Sequence, residues 1–275
     1  MSALARALGV ARSNLVCKPK EPKKRGRPPL PHEELVAEMR EVIAERPTYG
    51  YRRIWARLRR LRRERGQAVP NHKRVYRVAK LHGLLLEPCT GKGEERRHDG
   101  TIAVEQSNIR WCSDEFHIPC ENAERVRVAF SLDCCDREAI RWLATTEGID
   151  GEHIRDLMLE SVEERFCDLS VPQPVQWLSD NGSPYRARDT HKFGKALGLE
   201  PRWTPVRSPQ SNGMAESFVK TFKRDYVAMH ACPDAKTVLA SLPAWFADYN
   251  EHHPHSALGY LSPNEFRRAK LTNSP

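Results

Sequence analysis

Apolar positions recur at helical spacing in three stretches near the amino terminus. Leu35, Val36, Met39, Val42 and Ile43 share one side of a helix predicted over residues 35–45 and stopped by Pro47. A second helix, over 51–65, gathers Ile54, Trp55, Leu58 and Leu61 on one face and spreads arginines 52, 53, 57, 59, 60, 62 and 63 around the rest. A third starts after Pro70-Asn71, with Asn71 as its cap, runs over 72–81 and stops at Gly83. Its core face is expected at Val75, Val78 and Leu81, which leaves Lys73, Arg74, Arg77 and Lys80 outward. Three short helices with a basic third one make a helix-turn-helix whose last helix reads DNA. On that reading Lys73, Arg74 and Arg77 reach the bases, and the second-helix arginines serve phosphates. A helical bundle with a merely solvated basic face is the competing reading.

Beyond residue 100 the pattern changes. Alternating or continuous apolar runs predict strands near 110–116, 125–132, 139–145, 175–178 and 200–204. Helical spacing returns over 153–165, 187–197, from Met214 onward, and over about 237–249 and 263–270. Three hairpin-linked strands followed by alternating helices and strands form an α/β, ribonuclease-H-like order. Within it, Asp180 ends the buried run Val175-Gln176-Trp177-Leu178-Ser179 and is followed by Asn181-Gly182, so a strand delivers an acid to its exposed end. Glu216 follows the loop Ser208-Pro209-Gln210-Ser211-Asn212-Gly213 and lies in the first turn of a helix. Asp114 sits on the first strand, with Glu115 facing the other way. Two strands and a helix thus offer three hard carboxylate ligands, suited to two Mg²⁺ ions clamping an in-line phosphoryl displacement, with Mn²⁺ as a substitute. Taken singly, each acid reads as an ordinary surface carboxylate or helix-start residue.

Charge sharpens the division. Residues 1–100 hold 25 Lys and Arg against 11 Asp and Glu, a net +14, while residues 101–275 hold 20 against 25, a net −5, which together give the +9 of the chain. The amino-terminal third is therefore the expected polyanion binder. Residues 1–15 resemble the end of one helix, a turn at Gly9 and the start of a second, half of a helix-turn-helix. Residues 18–31 are too rich in Lys, Arg, Gly and Pro to fold, and Lys24-Arg25-Gly26-Arg27-Pro28-Pro29 resembles an AT-hook that lays Arg25 and Arg27 in a minor groove. The expected domains are a basic linker segment (1–31), the helix-turn-helix (32–87), a linker (88–103), the catalytic core (104–232) and a helical extension (233–275). The eight cysteines lack Cys-x-x-Cys spacing, and Cys112, His117 and Cys120 are too few and too far apart for structural zinc. With no apolar run near the ~18 residues of a membrane span and no signal peptide, a cytoplasmic, nucleoid-associated protein is expected.

The residues also carry a family resemblance. Trp111-Cys112-Ser113-Asp114, Trp177-Leu178-Ser179-Asp180-Asn181-Gly182 and Ser208 through Glu216 are similar to the three acidic motifs of the retroviral-integrase-like DDE transposases. Lys223, two helical turns after Glu216, matches the basic residue of that family. Tyr249 through Pro263 resembles the closing signature of OrfB, the second-frame transposase product of bacterial insertion sequences with two overlapping frames. Many members have Thr where this chain has Phe116 and Arg where it has His253; Cys134-Cys135-Asp136-Arg137 suggests a subgroup in which those replacements are usual. The resemblance implies a DDE transposase that cuts element ends with water and joins the freed 3′-hydroxyl to target DNA. It assigns the metals to Asp114, Asp180 and Glu216, substrate phosphate to Lys223, close approach to DNA to Asn181 and Gly182, and a structural role to Asp133 and Asp136. It also implies action as a homo-oligomer on element-end and target DNA, with an upstream-frame partner, OrfA, or as a fusion to it. A metal-dependent nuclease without strand transfer and a transposase-derived DNA-binding regulator are the alternatives.

Overall fold

The computed structural model describes residues 2–11, 31–87, 103–204 and 212–272. Contacts divide the chain into Met1–Glu34 and Leu35–Pro275. In the first unit, helix α1 (Ser2–Ala7) closes on Gly9 at φ 61°, with Val10 N donating to Ala5 O at 3.1 Å. That is the helix end and glycine turn read from the sequence. The AT-hook-like segment lies outside the described residues.

The second unit holds α2 (Glu33–Glu45) from Leu35 onward, α3 (Tyr51–Glu64) and α4 (His72–Leu81). Their shared core is Leu35, Met39, Val42, Ile54, Leu58, Val75 and Val78, and the Asn71 side chain caps α4 by accepting from Lys73 N at 2.8 Å. One core position differs from expectation. Leu81 is 70% exposed and Ala79 is fully buried in its place, because the stripe set by Val75 and Val78 continues at i+4 from Val75 and not at i+6.

The sheet has the order β3-β2-β1-β4-β5, from Arg110–Pro119 (β1), Arg125–Asp133 (β2), Ala139–Thr145 (β3), Val175–Ser179 (β4) and Leu199–Trp203 (β5). The first three strands pair antiparallel, and β4 runs parallel to both β1 and β5. Helices α5 (Gly151–Phe166), α6 (Ser183–Arg186) and α7 (Arg188–Ala196) supply the crossovers β3-to-β4 and β4-to-β5. This is the ribonuclease-H-like arrangement. Strand alternation sorts the two faces: Trp111, Ala129, Val175 and Trp177 pack with α5, whereas Cys112, Phe116, Val128 and Phe130 pack with α8 (Gly213–Asp225) and α9 (Ala235–His252). Phe116, one departure from the family pattern, is buried against Phe130 and Phe222.

Asp133 and Asp136 close the β2–β3 turn. The Asp133 carboxylate accepts from Asn108 N at 2.7 Å, Cys135 N at 2.7 Å, Asp136 N at 3.1 Å and Trp111 Nε1 at 3.2 Å. Buried Arg165 pairs with Asp136 at 3.1 Å and Glu138 at 3.3 Å, and Arg267 of α10 (Pro263–Thr272) reaches Glu138 at 2.5 Å. Of the residues weighed for zinc, Cys112 and Cys120 are buried while His117 is exposed on the opposite parity of β1.

The arginines of α3 correct the sequence reading. They are largely spent inside the protein. Arg59 donates to the carbonyls of Gly259 and Tyr260 and lies over Trp55. Arg60 reaches Glu251 O and Glu265, Arg62 pairs with Glu38 at 2.8 Å, and Arg53 pairs with Asp225 at 3.2 Å. Helix α3 is thus docked on α8, α9 and the segment after α9. His253, the other departure, is buried at this junction, its Nδ1 3.2 Å from Tyr49 Oη and its ring stacked on Tyr249.

Candidate active site

Strands β1 and β4 pair in parallel through Trp111↔Trp177 and Cys112↔Leu178. Two residues farther along each strand stand Asp114 and Asp180, where β4 ends and β1 continues without it. Directly opposed residues of parallel strands point the same way. The parity of Cys112 and Leu178, both packed into the α8-side core, turns the two aspartates toward α8. Helix α8 begins at Gly213 and buries Met214, Ala215, Phe218 and Phe222 in that core, with Glu216 half-buried in its first turn. The helix start is tied to β1 by buried Asn212, whose Nδ2 donates to Ser113 O at 3.3 Å. The opposite side of Ser113 bonds Tyr185 of α6, Oγ to Oη at 2.9 Å. Sequence reasoning assigned no task to Asn212 or Tyr185; both act through tertiary contacts that no local pattern carries.

The electrostatics register the convergence. Burial pushes the Asp114 carboxyl up to about 6, and the charges of Asp180, Glu115 and Glu216 push in the same direction against a hydrogen bond from Glu115 N at 2.8 Å. Asp114 therefore senses both other acids. Asp180 Oδ1 accepts from Gly182 N at 2.9 Å, and a Cβ at residue 182 would come within 3.0 Å of that oxygen. A side chain at 182 would crowd the carboxylate itself. Among the described residues no three His, Cys, Asp or Glu side chains are drawn together closely enough to hold a metal ion as they stand. The donor set is nonetheless all carboxylate oxygen, and three negative groups that feel one another are stabilised by a hard divalent cation.

Around the acids, Lys223 lies on the Glu216 side of α8 with its ammonium 5.8 Å from the Phe116 ring, two residues beyond Asp114 on β1. Asn181 uses its side-chain amide to hold Thr204 O at 2.8 Å, bracing the end of β4 against β5. On α4, Lys73 and Arg77 are exposed and Arg74 is half-buried. Arg25 and Arg27 lie outside the described residues, as do residues 205–211 of the loop before Glu216.

Comparison with known proteins identifies the family. Models of the integrase core domain match residues 104–209 and 197–263, and a model of the HTH-like domain matches residues 31–92. The transposase InsD for insertion element IS2A/D/F/H/I/K of Escherichia coli is 52% identical over 241 residues, covering 87% of this chain and 80% of that protein. InsD for insertion element IS2-9 of Escherichia coli strain K12 is likewise 52% identical over 241 residues, covering 87% and 78%. A chain of the simian T-cell lymphotropic virus intasome, solved with the PP2A regulatory subunit B56 gamma, shares the fold with a TM-score of 0.50 at 14% identity over 75% of this chain and 68% of that one. No helix among the described residues is long and apolar enough to cross a membrane. With an HTH-like domain ahead of an integrase core and a transposase relative matched over most of its length, the chain belongs to the insertion-sequence transposases of the DDE superfamily, enzymes that cut and join DNA strands.

Proposed function

We propose that Asp114, Asp180 and Glu216 are the metal-binding and catalytic carboxylates of this transposase, holding two Mg²⁺ ions for which Mn²⁺ can substitute. The carrying observation is that two aspartates at the end of the β1–β4 pairing face the helix whose first turn holds Glu216, the charges of Asp180 and Glu216 adding to the burial that raises the Asp114 carboxyl. Bound divalent cations supply charge neutralisation for the pentavalent phosphorus and lower the cost of deprotonating the attacking water or 3′-hydroxyl. The chain's own residues do the positioning. Asp114 feels the charge of both other acids, Gly182 keeps room beside Asp180, and Asn212 fixes the start of the helix that carries Glu216. Lys223 grips substrate phosphate as a point charge from the same side of α8. Asn181 serves DNA indirectly, by bracing the strand end, and its backbone with Gly182 faces the substrate.

The wider assignments rest on the helix-turn-helix and on charge. Exposed Lys73 and Arg77, with Arg74, read element-end DNA from α4. Arg25 and Arg27 add minor-groove contacts. The protein works as a homo-oligomer on DNA, with an upstream-frame partner or fused to it. The test uses labelled element-end DNA with Mg²⁺, alongside Mn²⁺ titration by calorimetry. Asp114→Asn, Asp180→Asn and Glu216→Gln are each expected to reduce cleavage and joining to background and to weaken Mn²⁺ binding, with DNA binding retained. Normal turnover in any one of them removes that residue from the site.

A further inference from the structure

One cavity of the chain is absorbed neither by the carboxylate site nor by helix α4. It is about 150 Å³ in volume and lies between the α3 docking surface, the β2–β3 turn and a flank of α8. A single water needs roughly 10–15 Å³ by such a measure, so there is room for a tetrahedral anion. Its lining is cationic and hydroxylic: Arg53 and Arg137, Ser217 and Thr221 of α8, and His253 and His255. Ser217 follows Glu216 directly, about 100° farther round the helix. The cavity therefore opens on the side of α8 next to the catalytic stripe and toward the helix-turn-helix.

Three observations point to an anion. Buried polar atoms that end in this region have no protein partner: Nε2 of His253, Nε2 of His255 and Nε of Arg137. His253 is fully buried and its Nδ1 is already engaged with Tyr49, so its unpartnered Nε2 lies on the far side of the ring. Buried polar groups in native proteins are nearly always satisfied, by protein, water or ligand. Next, positive charge exceeds negative. Arg53 and Arg224 share Asp225, while among the described residues no Asp or Glu lines the cavity beside Arg137. Burial and these arginines hold both histidines neutral, His255 down to about 3, so they act as uncharged donors. Finally, Arg137 sits at φ 64°, a left-handed conformation that is rare outside glycine and costs backbone energy. The β2–β3 turn holds it there through Asp133, whose carbonyl accepts from Arg137 N at 3.0 Å.

We propose that this cavity is a phosphate-binding pocket that seats one backbone phosphate of the DNA bound by the transposase, with Arg137 as its principal charge and the hydroxyls of Ser217 and Thr221 and the histidine Nε2–H groups as further donors. It is separate from the Lys223 contact: Lys223 lies on the Glu216 stripe itself, two turns along α8, and does not line the cavity. A phosphate seated there touches helix α8 and helix α3 at once, so DNA engagement bears on the helix that carries Glu216.

The full chain is tested in three arms. In the first, affinity for element-end DNA is followed against salt. Arg137→Ala is expected to reduce the slope of log K against log [salt] by about 0.9, the contribution of one phosphate, and Arg137→Lys to restore it. In the second, single neutral methylphosphonates are placed along the duplex. One position is expected to weaken binding by the wild type on the order of tenfold, as loss of charge-assisted hydrogen bonds does, and to have no further effect on Arg137→Ala. Thermal melting accompanies both arms, and Ser217→Ala, which removes only a hydroxyl and so leaves the salt slope alone, stands in for Arg137→Ala in the methylphosphonate arm should that variant not fold. A lowered melting temperature with an unchanged salt slope and no discriminating methylphosphonate would overturn the proposal and leave the cavity a structural one. In the third arm, stabilisation of wild type but not Arg137→Ala by inorganic phosphate, with both DNA arms unchanged, would overturn the assignment to DNA in favour of a free anion.

Discussion

Asp114 and Asp133 lie on adjacent strands, yet the same replacement is expected to act on them with opposite sign. Asp133 accepts four hydrogen bonds from groups that can only donate, and Arg165 lies 3.6 Å away. Asparagine puts an NH₂ against two of those donors, so Asp133→Asn is expected to lose about 3–5 kcal/mol in urea unfolding. Asp114 has one backbone donor, and its neighbours Asp180 and Glu216 repel it. Its folded carboxyl keeps its proton up to about 6 against 3.8 in the ordinary case. The folded state therefore binds more protons than the unfolded one between those values, and stability falls as pH rises through that window. Without divalent cations at pH 7.5, Asp114→Asn should unfold at higher urea than wild type, by on the order of 2 kcal/mol, while losing all cleavage. A destabilised Asp114→Asn would show that the acid is structural. Both aspartates are plain in the sequence as strand-end acids. What separates them is the set of groups around each, which only folding brings together.

At the scale of elements, helix α8 joins functions that local pattern reading assigns separately. Its first turn holds Glu216, its middle packs Phe218 and Phe222 into the core, and its end presents buried Asp225 to Thr48 and Arg53 of the helix-turn-helix at 2.6 and 3.2 Å. The helices and strands themselves were legible, because their apolar spacing and the Gly, Pro and Asn residues between them are local signals. The extra arginines of α3 were read as DNA contacts because a basic helical face looks the same whether its partner is phosphate or a protein carbonyl. Their partners Gly259, Tyr260 and Glu251 lie some two hundred residues away, beyond any periodicity. Leu81 was misplaced for a smaller reason, a single step in helical phase at the end of α4. The docking makes a prediction: Asp225→Ala leaves Arg53 and Thr48 without their buried acceptor, an expected loss of about 3–5 kcal/mol. Hydrogen exchange of the amides in 51–64 should accelerate with it. Exchange in that helix equal to wild type would mean that the carbonyl contacts of Arg59 and Arg60 hold the docking alone.

Across the whole molecule, the net +14 of residues 1–100 is set against the −5 of residues 101–275, in keeping with the DNA-binding role proposed for the amino-terminal part, but the charge is not all available to DNA. Arg53, Arg59 and Arg60 of α3 bind groups of the catalytic half, whereas α4 presents Lys73, Arg77 and Lys80 to solvent beyond a core made by Val75, Val78 and Ala79. The two helices should accordingly fail in different ways. Arg77→Ala is expected to reduce the preference for element ends over random duplex by about 1–3 kcal/mol, the value of one bidentate arginine–guanine contact, and to leave the melting temperature within error, since Arg77 makes only a 3.4 Å bond to Lys73 O. Arg59→Ala is expected to lower the melting temperature, through the loss of its bonds to Gly259 and Tyr260 and its packing on Trp55, with the ratio of specific to random binding and the salt slope unchanged. Competition binding at fixed salt measures the ratio, and a salt titration of the same variants measures the slope. If Arg59→Ala instead lowers the slope without affecting melting, α3 undocks when DNA binds and its arginines are shared between protein and phosphate. An unchanged ratio in Arg77→Ala, with Lys73→Ala also silent, would move sequence recognition away from α4.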